Sequence, residues 1–100
     1  MIHHIVFLKF HPKLSTINIK KVFSALATLK EKIPQIQSFK ILNNISQEQL
    51  DQGFKQGFEM HFNHPLDLQT YLDHPAHIDV KEKIVRPALQ EVLVFDWNNG

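Results

Sequence analysis

The chain of 100 residues is long enough for one domain with a single core, so residues 1–100 are predicted to form one domain. Hydrophobic residues make up 43% of it and charged residues 21%, which is typical of a globular protein and excludes a disordered or fibrous one. A net charge of +1 without a basic stripe argues against nucleic acid and membranes as partners, and the absence of cysteine, which excludes disulfides, predicts a cytoplasmic location.

The first predicted elements are a strand and a long helix. Ile2–Phe10 alternates as a strand that is apolar on both faces, with Val6 and Leu8 on one face and Ile5 and Phe7 on the other. Ser15 is a suitable N-cap for the helix that follows, and Pro34 ends it. The apolar residues of this helix recur at three- and four-residue spacing: Ile19, Val22, Phe23, Leu26, Leu29 and Ile33.

Two more strands are predicted around a polar connection. Ile36–Leu42 is the second strand, and residues 43–56 form a loop in which Ser46 begins a capping-box pattern that allows one helical turn. Gly57–Phe62 is the third strand. Its alternation places Phe58, Met60 and Phe62 on one side and Glu59 and His61 on the other, which indicates a half-buried strand.

The last third of the chain predicts two short helices and a closing strand. Leu68, Tyr71 and Leu72 mark the first helix, and Pro75 begins the second, which continues through Ala76, Val80 and Ile84. Val92–Trp97 is apolar at nearly every residue, so we expect it to be a strand in the interior of the sheet.

The resulting order, β-α-β-β-α-α-β, predicts an α+β fold of the ferredoxin-like type, a four-stranded antiparallel sheet with helices on one face. The opposite face would expose Ile5, Phe7 and alternate residues of the last strand. An apolar surface of this kind is larger than a monomer normally leaves in water. We therefore predict a homodimer in which two such faces close into a shared α/β barrel.

Four segments of the sequence resemble the stress-responsive A/B barrel domain (Dabb) family, and the similarity extends over essentially the whole chain. They are residues 1–10 (MIHHIVFLKF), 29–34 (LKEKIP), 53–58 (GFKQGF) and 71–77 (YLDHPAH). The resemblance implies a dimeric α/β barrel, in agreement with the pattern of the strands. It implies no single activity, because members include stress-induced plant proteins, bacterial proteins of unknown role and a plant polyketide cyclase.

The resemblance also implies a site. In the cyclase, the tyrosine and second histidine of a Tyr-x-x-His-Pro-x-His segment perform acid-base chemistry, and a histidine of the first strand lines the pocket. These roles would fall on Tyr71, His77 and His4 here. A small apolar or carbonyl-bearing ligand is then expected, with catalysis that needs no cofactor as one option. The alternative is a non-enzymatic stress-associated structural or interaction protein, in which the same side chains only pack and satisfy backbone groups.

A pocket between the sheet and the helices would be lined by apolar residues, although aromatic residues at regular spacing are more often core than pocket. The predicted lining residues are Val6, Leu8, Val22, Phe23, Leu26, Phe58 and Met60. No motif in the sequence requires a cofactor.

The seven histidines raise the question of a metal site and of acid sensitivity. His74 and His77, with Asp79 or Glu82, have a spacing that could bind a metal, but Pro75 between them favours a helix start, so no metal site is predicted. His3, His11 and His61 are expected to face solvent without a role. Protonation of all seven would raise the formal charge from +1 to +8, which predicts a protein that is sensitive to mild acid.

Overall fold

The computed structural model describes the whole chain, from Met1 to Gly100. Its elements in chain order are β1 (Ile2–Phe10), α1 (Thr16–Lys32), β2 (Ser38–Asn43), β3 (Gln56–Phe62), α2 (Pro65–Asp73), α3 (Pro75–Val80), a π-helical turn (Lys81–Val85), α4 (Arg86–Ala88) and β4 (Leu89–Asn98). None of the helices combines the length and apolar character needed to cross a membrane.

The four strands form one antiparallel sheet in the order β2-β3-β1-β4, which confirms the predicted ferredoxin-like α+β fold. In β1 the even-numbered residues from Ile2 to Leu8 are buried beneath the helices, while the odd-numbered ones lie on the opposite face. The register places Val6 opposite both Phe58 of β3 and Val94 of β4. The central position of β1 thus brings its buried face against residues from both neighbouring strands.

The prediction that the last strand lies in the interior of the sheet is wrong, because β4 is an edge strand that pairs with β1 alone. Its residues are exposed along most of its length, including Leu93 (52%), Phe95 (59%) and Trp97 (44%) on the face away from the helices. The continuous apolar run has another cause. One side of β4 borders a cavity under the helices, and the other belongs to the open face of the sheet.

The two helices predicted to begin after Ser15 and at Pro75 do so. The Oγ of Ser15 accepts a hydrogen bond from the backbone N–H of Asn18 at 3.1 Å and caps α1, while His64 and His74 cap α2 and α3, each followed by proline. The loop after β2 contains no helical turn at Ser46. Instead, Gln49 and Gln52 adopt left-handed conformations with φ of 60° and 58°.

The helix that begins at Pro75 does not keep the predicted four-residue spacing, because it contains a π-helical turn. The backbone N–H of Arg86 donates to the carbonyl of Lys81, five residues earlier, and Pro87 next to it has no N–H to continue an α-helical ladder. The wider turn shifts the inward position by one residue. As a result Val85 is buried and Ile84 is 38% exposed, although four-residue spacing had pointed to Ile84.

The core fills the space between the sheet and the helices. Leu29 and Ile33 of the α1 region pack there with Met60 and Phe62 of β3, and all four are fully buried. The core thus lies on one side of the sheet, and the other side carries exposed apolar side chains.

Candidate functional site

A cavity of about 440 Å³ opens between the sheet and the segment that runs from α2 to α4. This volume is within the range of ordinary small-molecule sites. Most of the side chains around it are apolar, among them Leu8, Leu26, Phe58 and Val94. The cavity is open along β4, where Val92 and Val94 face the helix side and are still about half exposed.

The polar end of the cavity contains the three residues that the sequence predicts as a site. Tyr71 lies between the two histidines, with ring centroids 4.3 Å from His77 and 5.7 Å from His4. All three side chains are buried and all three border the cavity. The fold therefore brings together groups from β1, α2 and α3, although their assignment as a site stays a prediction.

His4 is held by a carboxylate that the sequence did not suggest. Its Nδ1 lies 2.5 Å from Oδ1 of Asp96, the residue directly opposite it on β4. A carboxylate oxygen only accepts, so the Nδ1–H of His4 donates this hydrogen bond. A carboxylate in this position fixes the orientation and the tautomer of the imidazole.

Burial sets the protonation of the other two groups. It lowers the pKa of His77 below its ordinary value of 6.5, against the opposing effect of the hydrogen bond to the backbone carbonyl of Leu72, so the ring is neutral near pH 7. The Nδ1–H of His77 donates to that carbonyl at 3.1 Å, which leaves Nε2 as the basic nitrogen. Burial also raises the pKa of Tyr71, so the phenol keeps its proton. The pair therefore combines a neutral base with a hydrogen-bond donor.

Charged residues border the same cavity at its rim, and sequence reasoning missed them. Lys81 and Arg86 come from the π-helical turn and α4, and Glu91 comes from the start of β4. Arg86 Nε also lies 3.2 Å from a carboxylate oxygen of Glu82. The π-helical turn beside Pro87 positions Lys81 and Arg86 next to the cavity. The sequence pattern of a regular helix does not predict this turn.

The predicted ligand-binding residues divide into two groups. Those that border the cavity are Val6, Leu8, Leu26 and Phe58, whereas Val22, Phe23 and Met60 are buried in the core and do not border it. Val92, Val94 and Asp96 border the cavity as well. The alternation within the last strand could have identified these three, had the strand been recognised as the wall of a cavity.

The remaining histidines have clear positions. Nδ1 of His74 accepts a hydrogen bond from the backbone N–H of Ala76 at 3.0 Å, which is the helix-start role expected from Pro75. His11 is exposed as predicted. The expectation that His3 and His61 simply face solvent is wrong, because both contact Glu59 and their side chains are only 14% and 23% exposed.

The environment of His77 predicts how stability depends on pH. Because the folded protein holds the pKa of His77 below its unfolded value near 6.5, the unfolded chain binds more protons in mild acid. The stability contributed by neutral His77 is present above about pH 6.5 and is lost as the pH falls through the lower folded pKa. Coulomb interactions with Lys81, His4 and His74 lower the pKa of His77 further and reinforce this direction.

Urea denaturation between about pH 7.5 and pH 5 measures this effect. We expect the free energy of unfolding to fall with pH in the wild type, and to fall less steeply in His77→Gln. Protonation of Glu59 does not account for a change in the free energy of unfolding over this pH range. Burial raises the pKa of Glu59, but hydrogen bonds from His3 and His61 outweigh it and place the pKa below 4.5, so its contribution is lost only at lower pH. Equal slopes in the two proteins would contradict the assignment to His77.

The fold and the cavity define this chain as a ferredoxin-like α+β protein with a small-molecule-sized cavity under its helices. Residues 2–99 match the stress responsive A/B barrel domain (Dabb) family. The chain belongs to this family, which confirms the resemblance carried by its four motifs.

Two relatives match nearly the whole chain. The olivetolic acid cyclase of Cannabis sativa is 23% identical over 96% of this chain and 94% of the cyclase. A stress-response A/B barrel domain-containing protein of Arabidopsis thaliana is 28% identical over 96% of this chain and 87% of that protein. One relative is thus named for an enzymatic activity and the other for a stress response.

Solved structures show the same fold. The crystal structure of an Arabidopsis thaliana protein superposes with a TM-score of 0.94 at 27% identity, covering 100% of this chain and 96% of that one. The hydroxynitrile lyase of Passiflora edulis has a TM-score of 0.87 at 20% identity, with 99% and 94% covered. A dimeric ferredoxin-like protein of Jannaschia sp. has a TM-score of 0.83 at 22% identity, with 97% of each chain covered.

Proposed function

We propose that this protein is a homodimer that binds a small, largely apolar, carbonyl-bearing molecule in the cavity between sheet and helices and acts on it by cofactor-free acid-base chemistry. The observation that carries the proposal is the convergence of His4, Tyr71 and His77 at one end of a cavity of about 440 Å³. An apolar cavity with a few convergent polar groups is the usual form of a small-molecule site. The proposed location is the cytoplasm, where a protein without cysteine needs no oxidative maturation.

The three residues suit proton transfer next to a carbonyl group. In this mechanism Nε2 of neutral His77 removes a proton from the carbon adjacent to the carbonyl, and the electron pair moves onto the carbonyl oxygen. The phenol of Tyr71 donates a hydrogen bond to that oxygen as its negative charge develops. His4, held by Asp96, lines the same end and orients the ligand. The enolate carbon can then attack a second carbonyl carbon of the same molecule, whose π electrons move onto its oxygen, and that oxygen takes up the proton held by His77.

The dimer is proposed from the open face of the sheet. Leu93, Phe95 and Trp97 of β4 project there, next to Ile5 and Phe7 of β1. Such a continuous apolar surface is the kind that monomers rarely expose. The matching face of a second copy would cover it with a self-complementary surface, as a two-fold axis requires. Structures with this fold include proteins described as dimeric, which supports the proposal.

A ligand screen tests the binding part of the proposal. We expect some small β-diketones or aryl ketones to shift the NMR signals of His4, Tyr71 and His77 in the wild type. His77→Ala should weaken binding of the selected compound at least about tenfold, the value of one hydrogen bond of about 1.4 kcal/mol. His11→Ala, which changes an exposed imidazole outside the cavity, should bind as the wild type does.

The second candidate function is a non-enzymatic stress-associated protein. It is favoured by the hydrogen bonds of the histidines, since His77 is satisfied by Leu72 and His4 by Asp96 without any ligand. The relative from Arabidopsis thaliana is named for a stress response and not for a reaction. If no compound in the screen perturbs the cavity residues, the enzymatic proposal fails and this second function remains.

A further inference from the structure

A cluster of two histidines and a glutamate lies on the open face of the sheet, on the side opposite the cavity. β1 and β3 pair His3 directly with His61, and Glu59 lies on the same face two residues from His61. The Nδ1 of His3 is 3.0 Å from Oε2 of Glu59, and the Nε2 of His61 is 2.5 Å from the same oxygen. Neighbouring residues of β1 point to opposite faces, so His3 belongs to this cluster while His4 belongs to the cavity.

The three side chains have the composition and spacing of a metal site. One ligand atom from each lies within 4.8 Å of the others. Tetrahedral bonds of about 2.0 to 2.2 Å from Zn²⁺ to imidazole nitrogen and carboxylate oxygen separate neighbouring ligand atoms by about 3.3 to 3.6 Å. The present separations of 3.0 and 2.5 Å require only small rotations of the side chains to admit an ion.

The charge and environment of the cluster also suit a cation. Both rings direct a nitrogen at a single carboxylate oxygen of Glu59. Lys40 Nζ, 3.9 Å from the other oxygen, is a competing cation, but its side chain is 63% exposed and can turn into solvent when an ion binds. Nε2 of His3 is buried and has no hydrogen-bond partner. A neutral imidazole can switch between its two tautomers. The nitrogens that now donate to Glu59 can therefore offer lone pairs to a metal instead.

We propose that His3, Glu59 and His61 bind a first-row transition-metal ion, with Zn²⁺ as the reference ion. Two imidazoles and one carboxylate favour Zn²⁺, Ni²⁺ or Cu²⁺ over Mg²⁺ and Ca²⁺, which prefer all-oxygen sites. Three protein ligands leave a coordination position for water or for a group from a second copy. The site does not depend on the proposed chemistry of the cavity, because its three ligands come from one chain and from the opposite face, which is also the face of the proposed dimer interface.

The experiment is a titration of untagged full-length protein, freed of metal by a chelator, with Zn²⁺ in a calorimeter. We expect one ion per chain, and Mg²⁺ should not compete. A second readout comes from Trp97, the single tryptophan, whose ring stacks on His3 at 4.3 Å. Cu²⁺ bound to the cluster should quench its fluorescence in a saturable way that excess Zn²⁺ reverses.

Variants assign the ion to the cluster. His61→Gln and Glu59→Gln should each lower the affinity for Zn²⁺ at least about tenfold, since even residues that only support metal ligands have effects of this size. His11→Gln removes an exposed histidine outside the cluster and should bind as the wild type does. Circular dichroism checks that each variant is folded. Since both substituted side chains retain some exposure, we expect native spectra.

Three results would overturn the proposal. One is the absence of saturable Zn²⁺ binding to the wild type. Another is an unchanged affinity in both His61→Gln and Glu59→Gln. The third is an affinity that falls in His77→Ala and not in those variants, which would place the ion in the cavity. Failure of the ligand screen would leave the metal result untouched, so the two proposals are judged separately.

Discussion

Phe95→Glu is expected to convert the proposed dimer into folded monomers. Phe95 is 59% exposed in the single chain and lies at the centre of the apolar strip of β4, between Leu93 and Trp97. A glutamate there stays hydrated in the monomer but would be buried without a partner in the dimer. An uncompensated buried charge costs about 3–5 kcal/mol, and a two-fold axis places it in the interface twice. The dissociation constant should therefore rise by at least about 10³-fold.

Sedimentation velocity at micromolar concentration measures this change. Ile17→Glu is the matched control, because Ile17 is 68% exposed but lies on α1, in the helical layer on the other side of the sheet. The Ile17→Glu variant should remain dimeric. The proposed interface on the open face is contradicted if the wild type is a monomer. It is also contradicted if Phe95→Glu sediments as a dimer with the same dissociation constant as the wild type.

The strands show how far a sequence pattern predicts this fold. In β1 and β3 the alternation gave the correct faces, because one side of each strand is buried by helices and period-two burial is then visible in the sequence. In β4 the same reasoning failed. An edge strand that borders a cavity on one side and an apolar surface on the other has the composition of an interior strand, and composition alone does not separate the two cases.

The candidate site was predictable in its motif and not in its surroundings. Tyr71 and His77 are six residues apart, and the resemblance to the family identified both. Asp96 is 92 residues from His4, and the pairing of β1 with β4 alone brings their side chains together. Long-range register of this kind has no local signal.

The same limit applies to the open face. His3 and His61 looked like unrelated exposed residues in the sequence, although the register of β1 and β3 makes them direct neighbours across the two strands. Glu59 then contacts both rings. Residues that alternate with a core can thus form a site on the other side of the sheet, and only the pairing of the strands reveals it.

Two substitutions at Tyr71 separate packing from chemistry. Tyr71 is 1% exposed and its ring packs against His77 and Phe62, with centroids 4.3 and 5.3 Å away. Removing the ring in Tyr71→Ala should cost about 3–5 kcal/mol of stability, as large aromatic deletions do. Tyr71→Phe keeps the ring and removes the hydroxyl. Since burial is what raises the pKa of this phenol, with no hydrogen bond contributing, we expect its stability to stay within about 1 kcal/mol of the wild type.

The function of the hydroxyl should appear in binding and turnover. For the ketone selected with the wild type, Tyr71→Phe should lose about tenfold in affinity, and about 10²-fold or more in rate if the compound is converted, because the developing oxyanion loses its donor. Urea denaturation and calorimetry on the same preparations give both quantities. Equal affinity and rate in Tyr71→Phe, together with a large loss of stability in Tyr71→Ala, would show that Tyr71 serves packing alone, and the acid-base proposal would lose its hydrogen-bond donor.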